Sequence, residues 1–151
     1  MNTYQFSFEK LEVWQLSRTL AVDIYKRTQS FPPEEKYSLI SQIRRSALSV
    51  SANITEGTTR ASAKDQAHFT TIAFGSLMEL FNHLVIANDL GYINEDEVCK
   101  YREKIQTLSV KLSNLKASQI KRIGVLSLLW LILFASHIHQ PLQPFNHIQP
   151  F

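Results

Sequence analysis

The stretch from Gln42 to Gly57, QIRRSALSVSANITEG, constrains the fold more than any other part of the chain. Ile40, Ile43, Ala47, Val50 and Ile54 recur at steps of three and four, which sets them on one helix face at the spacing of helices in a bundle. Ser46, Ser49, Ser51 and Ala52 keep the cylinder thin, so neighbouring helices can approach closely. Arg45, Ser49, Asn53, Glu56 and Arg60 make a second, polar stripe. Polar groups half sunk in a bundle must find partners or cost about 1–3 kcal/mol each. The pattern therefore predicts a helical bundle with a polar seam.

The rest of the chain reads as packing partners for this helix. After a short N-terminal arm, Ser7 is placed to cap a first helix running to about Gln29, with Val13, Leu16, Leu20 and Ile24 buried. Trp14 beside that stripe reads as core. Phe31, Pro32 and Pro33 end it, and Pro33 with Glu34 and Glu35 suits the first turn of helix two, which Gly57 is expected to stop near Glu56. Ser62 and Asp65 form a variant capping box for helix three, about Ala63 to Leu90. Gly91 fits the left-handed position after it, and Asn94 with Glu97 caps helix four, about Glu95 to Arg122. In helix four Val98, Tyr101, Ile105, Leu108, Leu112 and Leu115 alternate steps of three and four. All four patterns close by Arg122. Residues 1–122 are therefore expected to form an all-α, up-down-up-down antiparallel four-helix bundle, and residues 123–151 a tail.

Two surfaces stand out. Helix three is more apolar than one seam requires: beside Ala73, Leu77, Leu80, Leu84 and Ala87 it carries a flank of Phe74, Met78, Phe81 and Val85. An apolar patch left wet usually marks an interface, so this flank is the expected homo-oligomer contact. Helix four places Lys100, Lys104 and Lys111 one above the other on the face opposite its leucines, with Lys116, Lys121 and Arg122 following. These six are the expected nucleic-acid contacts. A solvated face with cations suited to the helix dipole is the plainer reading of the same pattern. The net charge of +3 and pI of about 9.1 are compatible with a polyanionic partner without demanding one.

The tail changes character abruptly, from IGVLSLLWLILFA to a proline-spaced, irregular run. Its dozen apolar residues fall short of the roughly twenty of an ordinary membrane span. Three readings stay open: burial in an oligomer, a membrane-associating tail helped by Lys116, Lys121 and Arg122, or an appended segment without a role. Catalytic motifs are absent. No glycine-rich phosphate loop exists, the single Cys99 and the missing His-Glu-x-x-His leave no common zinc pattern, and Glu79 with His83 reads as a helix pair. No enzyme, cofactor or metal is expected. One cysteine and no N-terminal signal pattern make a reducing, cytoplasmic setting the expectation.

Three stretches carry a resemblance: LEVWQ at Leu11 to Gln15, QIRRSALSVSANITEG at Gln42 to Gly57, and GSLMEL with LGYI at Gly75 to Leu80 and Leu90 to Ile93. In that order and spacing, over about Phe8 to Arg122, the chain resembles the four-helix-bundle proteins encoded in intervening sequences of 23S ribosomal RNA genes, the S23 family. It is similar also to the accessory variability determinants of diversity-generating retroelements. The resemblance implies a ring-like homopentamer, a scaffold without enzymatic activity, and RNA or DNA, with a reverse transcriptase, as partners. It gives Arg44, Arg45, Asn53, Glu56 and Gly57 as a structural signature. Ser51 stands where the family usually has a small or proline residue, and the retroelement proteins are more basic than this chain. The alternative function is a purely structural protein–protein module, membrane-associated through its tail.

Overall fold

The computed structural model describes residues 4–138, with side chains through residue 125. Its four long helices are α1 (Glu12–Arg27), α2 (Leu39–Thr58), α3 (Ala63–Asp89) and α4 (Glu95–Ile138). Cross-links between neighbours fix their directions. Arg45 and Ser49 of α2 meet Glu79 and Ser76 of α3, and Thr70 and Phe81 of α3 meet Gln119 and Arg102 of α4. Glu12, Asp23 and Arg27 of α1 meet Lys111, Lys104 and Glu97 of α4. As one partner number rises the other falls, so each pair is antiparallel. The core between them holds Ile24, Ile43, Leu77, Leu80, Leu84, Leu108 and Leu112, all nearly or fully inaccessible. Each such side chain contributes about 1.5–3 kcal/mol on burial.

The caps of α3 and α4 follow the sequence pattern. Ser62 Oγ accepts from the Asp65 N–H at 3.0 Å; Asn94 Oδ1 accepts from the Glu97 N–H at 2.9 Å, while the Glu97 carboxylate accepts from the Asn94 N–H at 3.1 Å. Gly91 lies at φ 75°, where a side chain would be strained.

The first two helices differ from expectation. Ser7 does not cap α1: Ser7–Lys10 is a 3-10 turn in which Glu9 accepts from the Phe6 N–H at 2.9 Å, and α1 begins only after Leu11. Pro33–Tyr37 is likewise a 3-10 turn. Ser38, at φ −114° and ψ −107°, breaks it from α2. Glu35 then caps α2 through the Leu39 N–H and the Ser38 hydroxyl. Gly57 does not stop α2 either. It is buried within the last turn, and an added Cβ would stand 3.2 Å from Phe69 Cβ, so the glycine serves the close approach of α2 and α3.

Helix α4 continues beyond Arg122 to Ile138 because nothing in its sequence breaks it: Gly124 alone is a weak interruption among strong helix formers. Its 44 residues span about 66 Å against about 40 Å for α3, so its last turns pass the start of α3. By length and composition α3 would also pass for a membrane span, but a third of its apolar window is buried in the bundle and Lys64, Asp65 and Asp89 lie outside.

Candidate nucleic-acid interface

The polar stripe of α2 is satisfied by neighbours, as half-buried polar groups require. Arg45 Nη2 donates to Glu79 Oε1 at 2.5 Å, Ser49 and Ser76 hydroxyls meet at 2.9 Å, and Asn53 Nδ2 donates to the Ser49 carbonyl at 2.8 Å. Arg60 pairs with Glu56 and lies over the Phe69 ring at 4.5 Å. Arg44 Nε donates to the buried Thr28 Oγ1 at 2.8 Å and its guanidinium covers Tyr25 at 4.8 Å. Of the five signature residues Arg44, Arg45 and Gly57 therefore meet neighbouring elements, while Asn53 and Glu56 pair within a turn of α2 and its end. Beside them His83 Nε2 is buried without a hydrogen bond, 3.6 Å from Glu79 Oε1.

The expected lysine stripe is only partly free. Lys104 Nζ sits 2.6 Å from Asp23 Oδ2 and Lys111 Nζ sits 2.8 Å from Glu12 Oε2, so two of the three lysines set opposite the leucines bridge α4 to α1. Helical spacing could place them on one face but could not show that α1 presents carboxylates there. Lys100 is exposed, close to the acid-rich start of α4. Changing Lys104 and Lys111 to Glu would remove two inter-helix ion pairs as well as surface charge.

At the other end the α2–α3 linker meets the basic part of α4: Arg122 Nη1 donates to Gln66 Oε1 at 3.0 Å, and Gln66 Nε2 donates to the Arg60 carbonyl at 2.8 Å, while Lys116 lies by Thr70, Thr71 and Phe74 of α3. Lys64, Lys116 and Lys121 have no ion pair among the described residues. Of the nearby acids, Glu56 is held by Arg60, and Asp65 accepts from Ser62 Oγ at 2.6 Å. The sequence pattern gave Arg60 only as part of the polar stripe of α2, and Lys64 was missed. The signal was their position flanking the linker, which any up-down topology brings beside Arg122.

The opposite end is closed by a clasp. Arg27 forks onto Glu97, donates to the Tyr92 carbonyl at 2.8 Å and to Ser30 Oγ at 2.6 Å, and lies over Phe31. Tyr92 OH donates to Glu35 Oε1 at 3.1 Å. The Arg27 guanidinium, with the Asn94 N–H, holds the Glu97 carboxyl below the usual range; Ser38, the Leu39 N–H and Tyr92 do the same for Glu35.

The apolar flank of α3 is largely used inside the chain. Phe74 and Phe81 pack against the core, with Arg102 stacked over Phe81 at 4.6 Å; Val85 is half-buried and Met78 is 37% exposed. A second apolar face, absent from the sequence expectations, lies across the bundle between α1 and α2: Val22, Tyr25 and Leu48 are exposed beside Ala21. Among the described residues no cluster of three or more His, Cys, Asp or Glu is arranged to hold a metal ion.

Taken together, the chain is a four-helix bundle in which the polar stripe of α2 is satisfied within the protein and Lys64, Lys116 and Lys121 have no ion pair among the described residues. A family model described as 23S rRNA-intervening sequence protein matches residues 9–114, and the chain belongs to that family. It is similar in fold to a crystal structure from Bacteroides thetaiotaomicron, described as a protein of unknown function from the S23 ribosomal protein family. The TM-score is 0.65 at 24% identity, over 70% of this chain and 95% of that one. No curated protein matches the chain.

Proposed function

We propose that this protein is a non-enzymatic, oligomeric scaffold that holds nucleic acid by backbone charge at its basic end. The observation that supports the reading is that the α2–α3 linker, through Gln66, brings Arg60 and Arg122 to the same end, where Glu56 is held by Arg60 and Asp65 by Ser62, while Lys64, Lys116 and Lys121 have no ion pair among the described residues. Phosphate is the polyanion such a surface suits, and contact by charge alone selects no sequence. Oligomerisation repeats the basic end, so cations too few to hold a strand singly act together.

A second copy of the chain is the partner that the apolar faces support. The α1–α2 groove and the α3–α4 flank lie on opposite sides of the bundle, the arrangement a head-to-tail contact needs to close a ring; the family resemblance favours five copies. The structural reading without nucleic acid draws on these same faces.

Mobility shift with single-stranded and structured RNA is the test. Binding should weaken steeply with salt, each contacted phosphate adding about 0.9 to the log–log slope on duplex and about 0.7 on single strands. Exchanging Lys116, Lys121 and Arg122 for Glu should abolish it while light scattering still gives the oligomer mass. Absence of a shift with wild type at about 50 mM salt removes the nucleic-acid reading and leaves the structural one. A monomer mass at micromolar concentration removes the oligomer, and Met78→Glu, at the exposed member of the α3 flank, should break the assembly if that flank is its contact.

A further inference from the structure

At the basic end the N-terminal arm lies against the bundle, where Ser7 and Leu11 border the same cavity as Gly57 and Gln66. Its sequence, YQFSF at Tyr4 to Phe8, sets an aromatic residue at every second position, and Trp14 in the first turn of α1 completes a row of rings. Consecutive ring centroids from Tyr4 through Phe6 and Phe8 to Trp14 lie 5.1, 5.9 and 5.0 Å apart. Phe8 and Trp14 are half-buried, but Tyr4 is 83% and Phe6 56% exposed. Arg18, one turn along α1, holds its guanidinium over the Trp14 ring at 5.7 Å, and Lys10 is exposed where the arm enters α1. Neither has an ion pair among the described residues. Tyr4, Trp14 and Arg18 line an open hollow of about 520 Å³, whose single carboxylate, Glu9, accepts from the Phe6 N–H at 2.9 Å.

Large rings left in water beside unpaired cations describe a complementary ligand, one that offers flat apolar faces and negative charge together. Nucleobases on a phosphodiester chain are such a ligand, provided they are unpaired: in a duplex the faces are taken by neighbouring bases. A second copy of this chain would bring a net charge of +3 to a surface that is already cationic, whereas a strand brings the opposite sign. We propose that single-stranded nucleic acid binds across the arm, with unpaired bases stacked on Tyr4 and Phe6 and phosphates beside Arg18 and Lys10. The proposal rests on the nucleic-acid reading above and deepens it: charge draws the strand to the basic end, and the rings make the contact prefer unpaired bases. Stacking reads no base edges, so the preference is for single strands and not for a sequence.

The probes are a fluorescein-labelled oligouridylate of about twelve nucleotides and an abasic phosphodiester strand of the same length, titrated with the full chain and read by anisotropy. The two carry the same phosphates, so backbone charge acts on both alike. Wild type should bind the oligouridylate at least about tenfold more tightly than the abasic strand. Tyr4→Ser combined with Phe6→Ser should abolish that preference. The abasic affinity, the salt slope, thermal melting and the oligomer mass should stay as they are, because the substitutions change no charge and lie outside the four helices. Tyr4→Phe, which keeps the ring, should keep the preference. Equal binding of the two strands by wild type, a preference that survives the double variant, or one that is lost in Tyr4→Phe overturns the stacking proposal and leaves the charge-only contact standing. A monomer mass for the double variant assigns the rings to a subunit contact and overturns it as well. Binding of neither strand by wild type removes both readings.

Discussion

The two ends of this bundle solve the same problem in opposite ways. At the end where α1 runs into α2 and α3 into α4, Arg27, Glu97, Tyr92 and Glu35 tie the two connections together across 57 to 70 residues of sequence. At the other end the α2–α3 linker and α4 meet through lighter bonds from Gln66 and Arg122, around a cavity and beside cations without acid partners. Helix connections leave backbone and side-chain polar groups that must be satisfied, and charge-assisted forks do this more strongly than neutral amides. The closed end is built for stability. The open end leaves cations without acid partners, and the proposed nucleic-acid contact draws on these.

The largest expected effect comes from cutting the clasp. Arg27→Met removes bonds to Glu97, Ser30 and the Tyr92 carbonyl together and should cost about 2–3 kcal/mol in urea denaturation. A loss under about 0.5 kcal/mol would mean that the two ends do not differ in strength. Next comes Gly57→Val at the open end, where even a Cβ would press on Phe69; overpacking there should cost about 1–2 kcal/mol in the same assay. Stabilisation by that substitution would show that the open end has slack between α2 and α3.

Acid should separate the ends more gently. Glu97 and Glu35 titrate below the ordinary glutamate value of 4.5 when folded, so the stability they contribute is complete above that value and drains away as pH falls through the lower folded values. Amide hydrogen exchange around Asn94–Val98 should accelerate below about pH 4.5, before the start of α3 does. Simultaneous loss at both ends would put the acid-sensitive group elsewhere. The smallest effect is expected between the ends: Lys104→Met breaks the half-exposed pair with Asp23 and should cost no more than about 0.5 kcal/mol. A larger cost would show that the α1–α4 seam depends on its ion pairs.

Sequence alone determined a good deal here. The heptad steps from Val13 to Leu115 gave the buried faces, because the period of a helix is local and apolar side chains have one place to go. The Ser62 and Asn94 caps and the left-handed Gly91 were legible for the same reason: each is settled by residues within one turn. The polar stripe on α2 announced that partners would be needed, though not that Glu79 and Ser76 would supply them. Local signals misled where two of them competed. Ser7 and Pro33 start 3-10 turns, and Gly57, read as a helix stop, is kept for its contact with Phe69. What only the tertiary structure decided is which charges are spent. Lys104 and Lys111 look as free as Lys116 and Lys121 along α4, and the difference lies in carboxylates on α1, more than eighty residues away, that reach two of them and not the others. Coulombic pairing depends on distance in space, which a periodic pattern on one helix does not contain.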